Sequence, residues 1–409
     1  MNIQLRALRG ALAVTLCLAV MSCGGGGKSG VSAPTQPPAG SNVVPVIVDA
    51  GPTASAPTIN ELFTTVTLCV PGSTTQCATI DHVQVDTASF GFRVLAAALP
   101  AGFTLPVQTA PGGGSLVECT VFGDGYSWGP VTQADFTIGG EKVSSMPLQI
   151  IGDSRFPAAP NACTSQTTQG EEDDIATFGA NAIIGIGVEP NDCPDCANTA
   201  AHNVYFACAS ATATSCASTI VPTANLVPNP IVKFPIDNNG SIIVLPSVAL
   251  TGAATVSGSL IFGVDTQTNN MSGTQTVLFI NPNTAELTMV YKGTTLSDSF
   301  IDSGTNGIYF ADSSLTVCTD AMNFYCPTST TSLPLGINLR NGGTFSTNFT
   351  VVNADTLTNG IAAFPGLAGT LPPSLDGFDW GLSFFYGRRV ATVIAGETTS
   401  VGTGPYIAF

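Results

Sequence analysis

Val83-Gln84-Val85-Asp86-Thr87-Ala88-Ser89-Phe90-Gly91-Phe92-Arg93-Val94 and Ser299-Phe300-Ile301-Asp302-Ser303-Gly304-Thr305-Asn306-Gly307-Ile308-Tyr309-Phe310 share one pattern. Each places an apolar strand before an aspartate, then a small hydroxyl residue, a small residue and a second hydroxyl, and afterwards a glycine and another apolar run. The aspartates stand 216 positions apart (302 minus 86) in a chain of 409, the spacing expected if each of two lobes contributes one. Small residues after an aspartate let backbone N–H groups approach its oxygens, and the hydroxyls can lock the carboxylate plane. Two buried carboxylates held together cannot both ionise, so such a pair keeps one proton and can act as base and acid on one water.

The rest of the chain is written in the same alphabet. Apolar residues make up 44% but are spent on short segments, charged residues are 9%, and 44 Gly and 28 Pro punctuate the chain. Long amphipathic helices cannot be built from this, whereas β-branched and aromatic runs at 62–70, 82–85, 135–138, 256–262, 276–280 and 287–291 alternate with turn clusters. The expectation is an all-β, bilobal protein with an N-terminal lobe over 43–240 and a C-terminal lobe over 241–409. After residue 23 no 18-residue stretch escapes polar, Gly or Pro interruption, so no membrane-spanning helix is expected. Eleven Lys and Arg against 27 Asp and Glu, a formal charge of −16, argue against a nucleic-acid partner. His82 and His202 are the only histidines, which excludes sites needing several imidazoles. No cofactor or metal is expected, and the chain reads as a monomer. The run Glu171-Glu172-Asp173-Asp174 lacks the spaced ligands of a calcium loop and reads as a solvated turn. Gly125-Tyr126-Ser127-Trp128-Gly129 spells the G-x-S-x-G of a nucleophile elbow, but Pro130 and a strand-like stretch follow it where that motif needs a helix.

Arg6 and Arg9, the apolar residues 10–20 and Val20-Met21-Ser22-Cys23 resemble the leader of a bacterial lipoprotein. The expectation is a signal peptide over 1–23 and lipidation of Cys23. A Gly-, Ser- and Pro-rich tether over 24–42 would lift the body off the membrane. Gly24, rather than Asp, after the lipidated residue favours the outer membrane of the cell envelope by resemblance to Gram-negative lipoproteins. Between Cys23 and Val43 the only base is Lys28, so no basic inhibitory prosegment is expected. An oxidising compartment suits the ten further cysteines of the body. Cys69/Cys77, Cys208/Cys216 and Cys318/Cys326 are each eight apart and suit hairpin-bridging disulfides, leaving Cys119, Cys163, Cys193 and Cys196 for two more bonds of open pairing.

On these residues the chain resembles the pepsin-type aspartic proteases over most of its length, from about residue 43 to the end. Asp86-Thr87-Ala88-Ser89 matches the first D-T-G-S motif and Asp302-Ser303-Gly304-Thr305 the second. Residues 121–125 and 135–140 are similar to the flap hairpin and its return strand, and 182–187 to the segment behind the first aspartate. Residues 258–266 are similar to the strand opening the second lobe, and 380–385 to its closing strand. The same combination is similar to bacterial lipoproteins carrying such a domain. The resemblance implies a double β-barrel with a central cleft in which Asp86 and Asp302 hold the attacking water. It also implies that Thr87 and Ser303 cross-brace the two loops, that Ser89 and Thr305 bond the outer carboxylate oxygens, and that Phe122, Gly123, Asp124 and Gly125 close over a peptide. Three residues depart from the pattern: Ala88 stands for Gly, Phe122 for the flap tyrosine, and Arg93 for an aromatic behind the flap. In the closing strand, Gly381-Leu382 stands for Gly-Asp. Two functions therefore stay open, an envelope-anchored endopeptidase and a silent binding module or structural lipoprotein of the same fold. In either case a peptide or protein would occupy the cleft.

Overall fold

β-branched and aromatic residues alternate with turn residues along the body, and the chain accordingly pleats into strands rather than coiling. The computed structural model describes residues 40–272, 275–319, 321, 323–371 and 377–409. The leader, the lipidation candidate Cys23 and the tether as far as residue 39 lie outside the described residues. Among these, the α-helical stretches are single turns, Asn161–Thr164 and Ile175–Phe178. No helix among them is long and apolar enough to cross a membrane.

The two aspartate stretches sit in matching strand arrangements. In the first half Cys77–Asp86 runs parallel to Ala182–Ile186, which runs antiparallel to Phe90–Leu95, which in turn runs parallel to Glu141–Ile151. In the second half Thr294–Ile301 runs parallel to Asp379–Trp380, which runs antiparallel to Ile308–Phe310, which in turn runs parallel to Ala368–Thr370. One pairing scheme is thus used twice, each time with an aspartate at the end of its first strand, Asp86 as the last strand residue and Asp302 one position beyond. The expected class, all-β and built of two pepsin-like halves, is the observed one.

A continuous sheet joins the halves. Val43–Val48 pairs along its whole length with Val256–Phe262, and by Ile47↔Phe63 and Val48↔Leu62 with Leu62–Cys69. Beyond Val256–Phe262 the sheet continues through Gly240–Val244, Arg389–Val393, Tyr406–Ala408 and Val277–Phe279. Asn60 adds a polar staple. Its backbone is left-handed (φ 52°), which asparagine tolerates. Its side chain donates to the carbonyls of Asn306 (2.7 Å) and Phe364 (2.9 Å) and accepts from Phe364 N and the Tyr386 hydroxyl.

Both halves fill their interiors with aromatic rings. Phe92 meets Phe136 edge-on in the first, and Phe310 stacks on Phe378 at 5.3 Å in the second, with Phe349 and Trp380 around them. Five disulfides close the structure among the described residues. Cys69–Cys77, Cys208–Cys216 and Cys318–Cys326 bridge as the spacing predicts, and the remaining four pair as Cys119–Cys163 and Cys193–Cys196.

Candidate active site

Each aspartate is delivered by the end of a strand, and a glycine lets the neighbouring strand pass close behind it. Gly185 lies opposite Asp86, and a Cβ there would sit 2.5 Å from Phe90 N. Gly381 does the same service in the second half, where a Cβ would sit 2.2 Å from the Thr305 carbonyl. The backbone bonds repeat as well: Gly187 N donates to Ser89 O at 3.0 Å, and Leu382 N donates to Thr305 O at 2.8 Å.

These loops bring Asp86 and Asp302 together. Their side chains are hydrogen-bonded to one another. Both are sealed from solvent, 0% and 1% exposed. Asp86 Oδ1 accepts from Ala88 N (2.8 Å) and Ser89 N (3.2 Å), and its Oδ2 accepts from Ser89 Oγ at 2.5 Å. Asp302 is held the same way, Oδ1 by Gly304 N (2.7 Å) and Oδ2 by Thr305 Oγ1 (2.7 Å). The loops also grip each other. Thr87 Oγ1 donates to the Ile301 carbonyl (3.2 Å) and accepts from Ser303 N (3.0 Å), while Ser303 Oγ donates to the Val85 carbonyl (2.8 Å). Gln84 adds a bond from Nε2 to the Gly304 carbonyl at 2.9 Å.

The two small residues are not equivalent. Ala88 keeps its N–H bond to Asp86 and its methyl is accommodated. A Cβ on Gly304 would stand 2.7 Å from Asp86 Cγ, so the second loop needs glycine for the carboxyls to meet.

A third carboxyl at the site escaped the sequence reading. Asp379, 3% exposed, places Oδ2 3.0 Å from Thr305 Oγ1. The acid expected after Gly381 in the closing strand stands instead before it, on the far side of Trp380. Burial pushes Asp302 well above the ordinary carboxylate range; the charges of Asp86 and Asp379 add to this, and the Thr305 bond opposes it. Burial likewise pushes Asp379 up to about 8, with the Thr305 bond opposing and the charge of Asp86 adding. Burial and mutual repulsion thus favour the protonated forms of Asp302 and Asp379 over those of carboxyls in water.

The hairpin of Ser115–Val121 and Tyr126–Ile138 carries the flap candidates at its tip. Phe122 N donates to the Gly125 carbonyl at 2.8 Å, closing the turn through Gly123 and Asp124. The Phe122 ring belongs to the interior of its own half, beside Phe63, Leu95, Ile183 and Phe178. The acidic run at 171–174 is not the free solvated turn expected from its composition. Glu172 N donates to the Tyr126 carbonyl (2.8 Å), Tyr126 N donates to Gly170 O (3.1 Å), and Glu172 is 4% exposed against Gly125. Asp174 caps the helix Ile175–Phe178 through Thr177 N. Ser127 lies inside a strand, buried and bonded to Gln149 Oε1, so it is no nucleophile elbow.

Arg93 is the largest surprise of the first half. It is 1% exposed, donates to Glu118 Oε1 (2.5 Å), Thr120 Oγ1 (2.8 Å) and Phe90 O (2.7 Å), and lies 3.7 Å from Asp192. An ion pair thus fills the place where an aromatic was expected. Cys318, Cys326 and Asp355 cluster in space, but the disulfide removes both thiolates as metal ligands.

Matching aspartate loops on a doubled all-β scaffold, meeting where the halves touch, define a two-aspartate protein of pepsin-like architecture. Residues 38–409 match the family model described as "Protein of unknown function (DUF3443)", and the chain belongs to that family. No curated protein matches the sequence. Among solved structures it is similar to the aspartic proteinase from Irpex lacteus, at 16% identity and a TM-score of 0.46 over 90% of this chain and 96% of that one.

Proposed function

We propose that this chain is an endopeptidase of the aspartic type, in which the Asp86–Asp302 pair activates a water against a peptide carbonyl. The reading is carried by one observation: two buried carboxyls hydrogen-bonded to each other inside a reciprocal Thr87–Ser303 brace. A pair sharing one proton supplies a base for the water and an acid for the carbonyl oxygen, with no covalent intermediate. Cleavage requires that single proton, so activity is expected in acid and lost where both carboxyls ionise. The protein would work on the cell envelope, tethered at Cys23 to the outer membrane, with the hairpin tip at 122–125 opening to admit a peptide.

Purified protein lacking the leader should cleave an unfolded protein between about pH 3 and 6 and bind a statine, which mimics the tetrahedral hydrated carbonyl. Asp86→Asn and Asp302→Asn should each abolish cleavage without unfolding the protein. Absence of both cleavage and statine binding in the wild type from about pH 3 to 8 sinks the reading. One observation favours a second reading, a binding module of the same fold: the hairpin tip is pinned by the 170–172 segment and its Phe122 ring is buried in the core. Peptide binding by an inert wild type would support that alternative.

A further inference from the structure

The contact between Thr305 and Asp379 raises a proton-counting problem. A threonine hydroxyl has one proton to donate and lone pairs to accept. Thr305 Oγ1 lies within hydrogen-bonding distance of two carboxyl oxygens, Asp302 Oδ2 at 2.7 Å and Asp379 Oδ2 at 3.0 Å. It can donate to only one of them. In the endopeptidase reading the single proton of the dyad lies between Asp302 and Asp86, whose side chains interact directly, so Asp302 does not also supply the bond to Thr305. Thr305 must then donate to Asp302, and the proton in its contact with Asp379 has to come from Asp379.

The surroundings of Asp379 agree. Its Oδ1 is buried without a hydrogen-bond partner. Among the described residues no Lys, Arg or His forms an ion pair with it, and the charged groups acting on it are the carboxyls of Asp86 and Asp302. An ionised carboxylate in that position would be buried, without a cation, and next to a pair that already carries one negative charge.

Resting on the endopeptidase reading above, we infer that Asp379 is a positioning residue that stays protonated in the working enzyme. It donates to Thr305 and thereby fixes the threonine proton on the outer oxygen of Asp302. The sequence Asp379 Oδ2–H to Thr305 Oγ1–H to Asp302 Oδ2 runs one way, and it leaves the inner proton of the dyad to face Asp86 and the water. When Asp379 loses its proton, Thr305 turns to the new carboxylate. Asp302 then loses a donor as a second negative charge appears beside the one the pair already carries. Ionisation of Asp379 thus adds to ionisation of the pair in setting the alkaline limit of activity.

Asp379→Asn and Asp379→Leu separate this from a packing role. The amide keeps a donor toward Thr305 at every pH, so its alkaline limb should move up by about one pH unit or more. Leucine fills the space without a donor, and its kcat at acid pH should fall on the order of 100-fold, the cost of a misplaced catalytic group, with the amide recovering most of that loss. An alkaline limb in Asp379→Asn that overlays the wild type, or a leucine variant as active as the amide, overturns the inference. If the wild type neither cleaves nor binds a statine, the endopeptidase reading fails and infrared spectroscopy decides this one. A protonated-carboxyl band that titrates near 8 and is missing in Asp379→Asn supports it. A band unchanged by the substitution overturns it.

Discussion

At the scale of single residues the site depends on what each position leaves out. Gly304 has no side chain because Asp86 occupies the space, with its Cγ 2.7 Å from where a Cβ would stand. Gly304→Ala should therefore push the carboxyls apart, abolishing statine binding while circular dichroism stays native. The buried carboxyls also set how stability depends on pH. A carboxyl raised in the folded state contributes its full stability below its unfolded pKa and loses it as pH climbs to the folded value. For Asp379 that window runs from the ordinary 3.8 up to about 8. Across it the wild type should lose up to about 1.4 kcal/mol per pH unit from this group, measured as a falling urea midpoint, and Asp379→Asn should flatten that slope.

At the scale of elements, the ion cluster around Arg93 ties four strands and a loop. Arg93 comes from Phe90–Leu95, Glu118 and Thr120 from Ser115–Val121, and Tyr205 from Tyr205–Cys208; Gln149 from Glu141–Ile151 holds the Glu118 carbonyl. Tyr205 donates to Asp192 Oδ2 at 2.7 Å. One guanidinium faces two carboxyls here. Burial first, and the charge of Glu118 second, raise Asp192 well above the usual range, against the pull of Arg93. Arg93→Met leaves two buried acids without a cation and should cost about 3–5 kcal/mol by urea denaturation, whereas Asp192→Asn should cost far less. This cluster also marks where reading the sequence stops. The doubled Asp-hydroxyl-small-hydroxyl pattern was legible because its chemistry is local, four residues fixing one carboxylate. Glu118 and Asp192 lie 25 and 99 positions from Arg93 (118 minus 93 and 192 minus 93), with no periodicity to connect them. Asp379 was hidden for the same reason, since only the fold brings it to Thr305. Glu172 was misread because composition cannot show that Gly125 leaves a carboxylate-bearing loop room to dock.

At the scale of the whole molecule, Val43–Val48 joins the halves by backbone pairing, between Val256–Phe262 and Leu62–Cys69. The tether would enter directly at this strand. If Cys23 carries the lipid, Cys23→Ala should abolish labelling by a fatty-acid analogue and release the protein from membranes; a labelled, membrane-bound variant would refute the anchor.

The same strand imposes an order in time. Val43 pairs with Ile261, made 218 residues later (261 minus 43), so a growing chain exposes an apolar edge long before its main partner exists. The neighbour already made offers only Phe63 and Leu62 as pairing positions. The oldest part of the chain is thus committed to its place only after the second half has begun to appear, and until then Ile47 and its neighbours are open to pairing with other chains. Whatever receives this protein as it is made must shelter its first strand until the two hundred and more residues behind it have arrived.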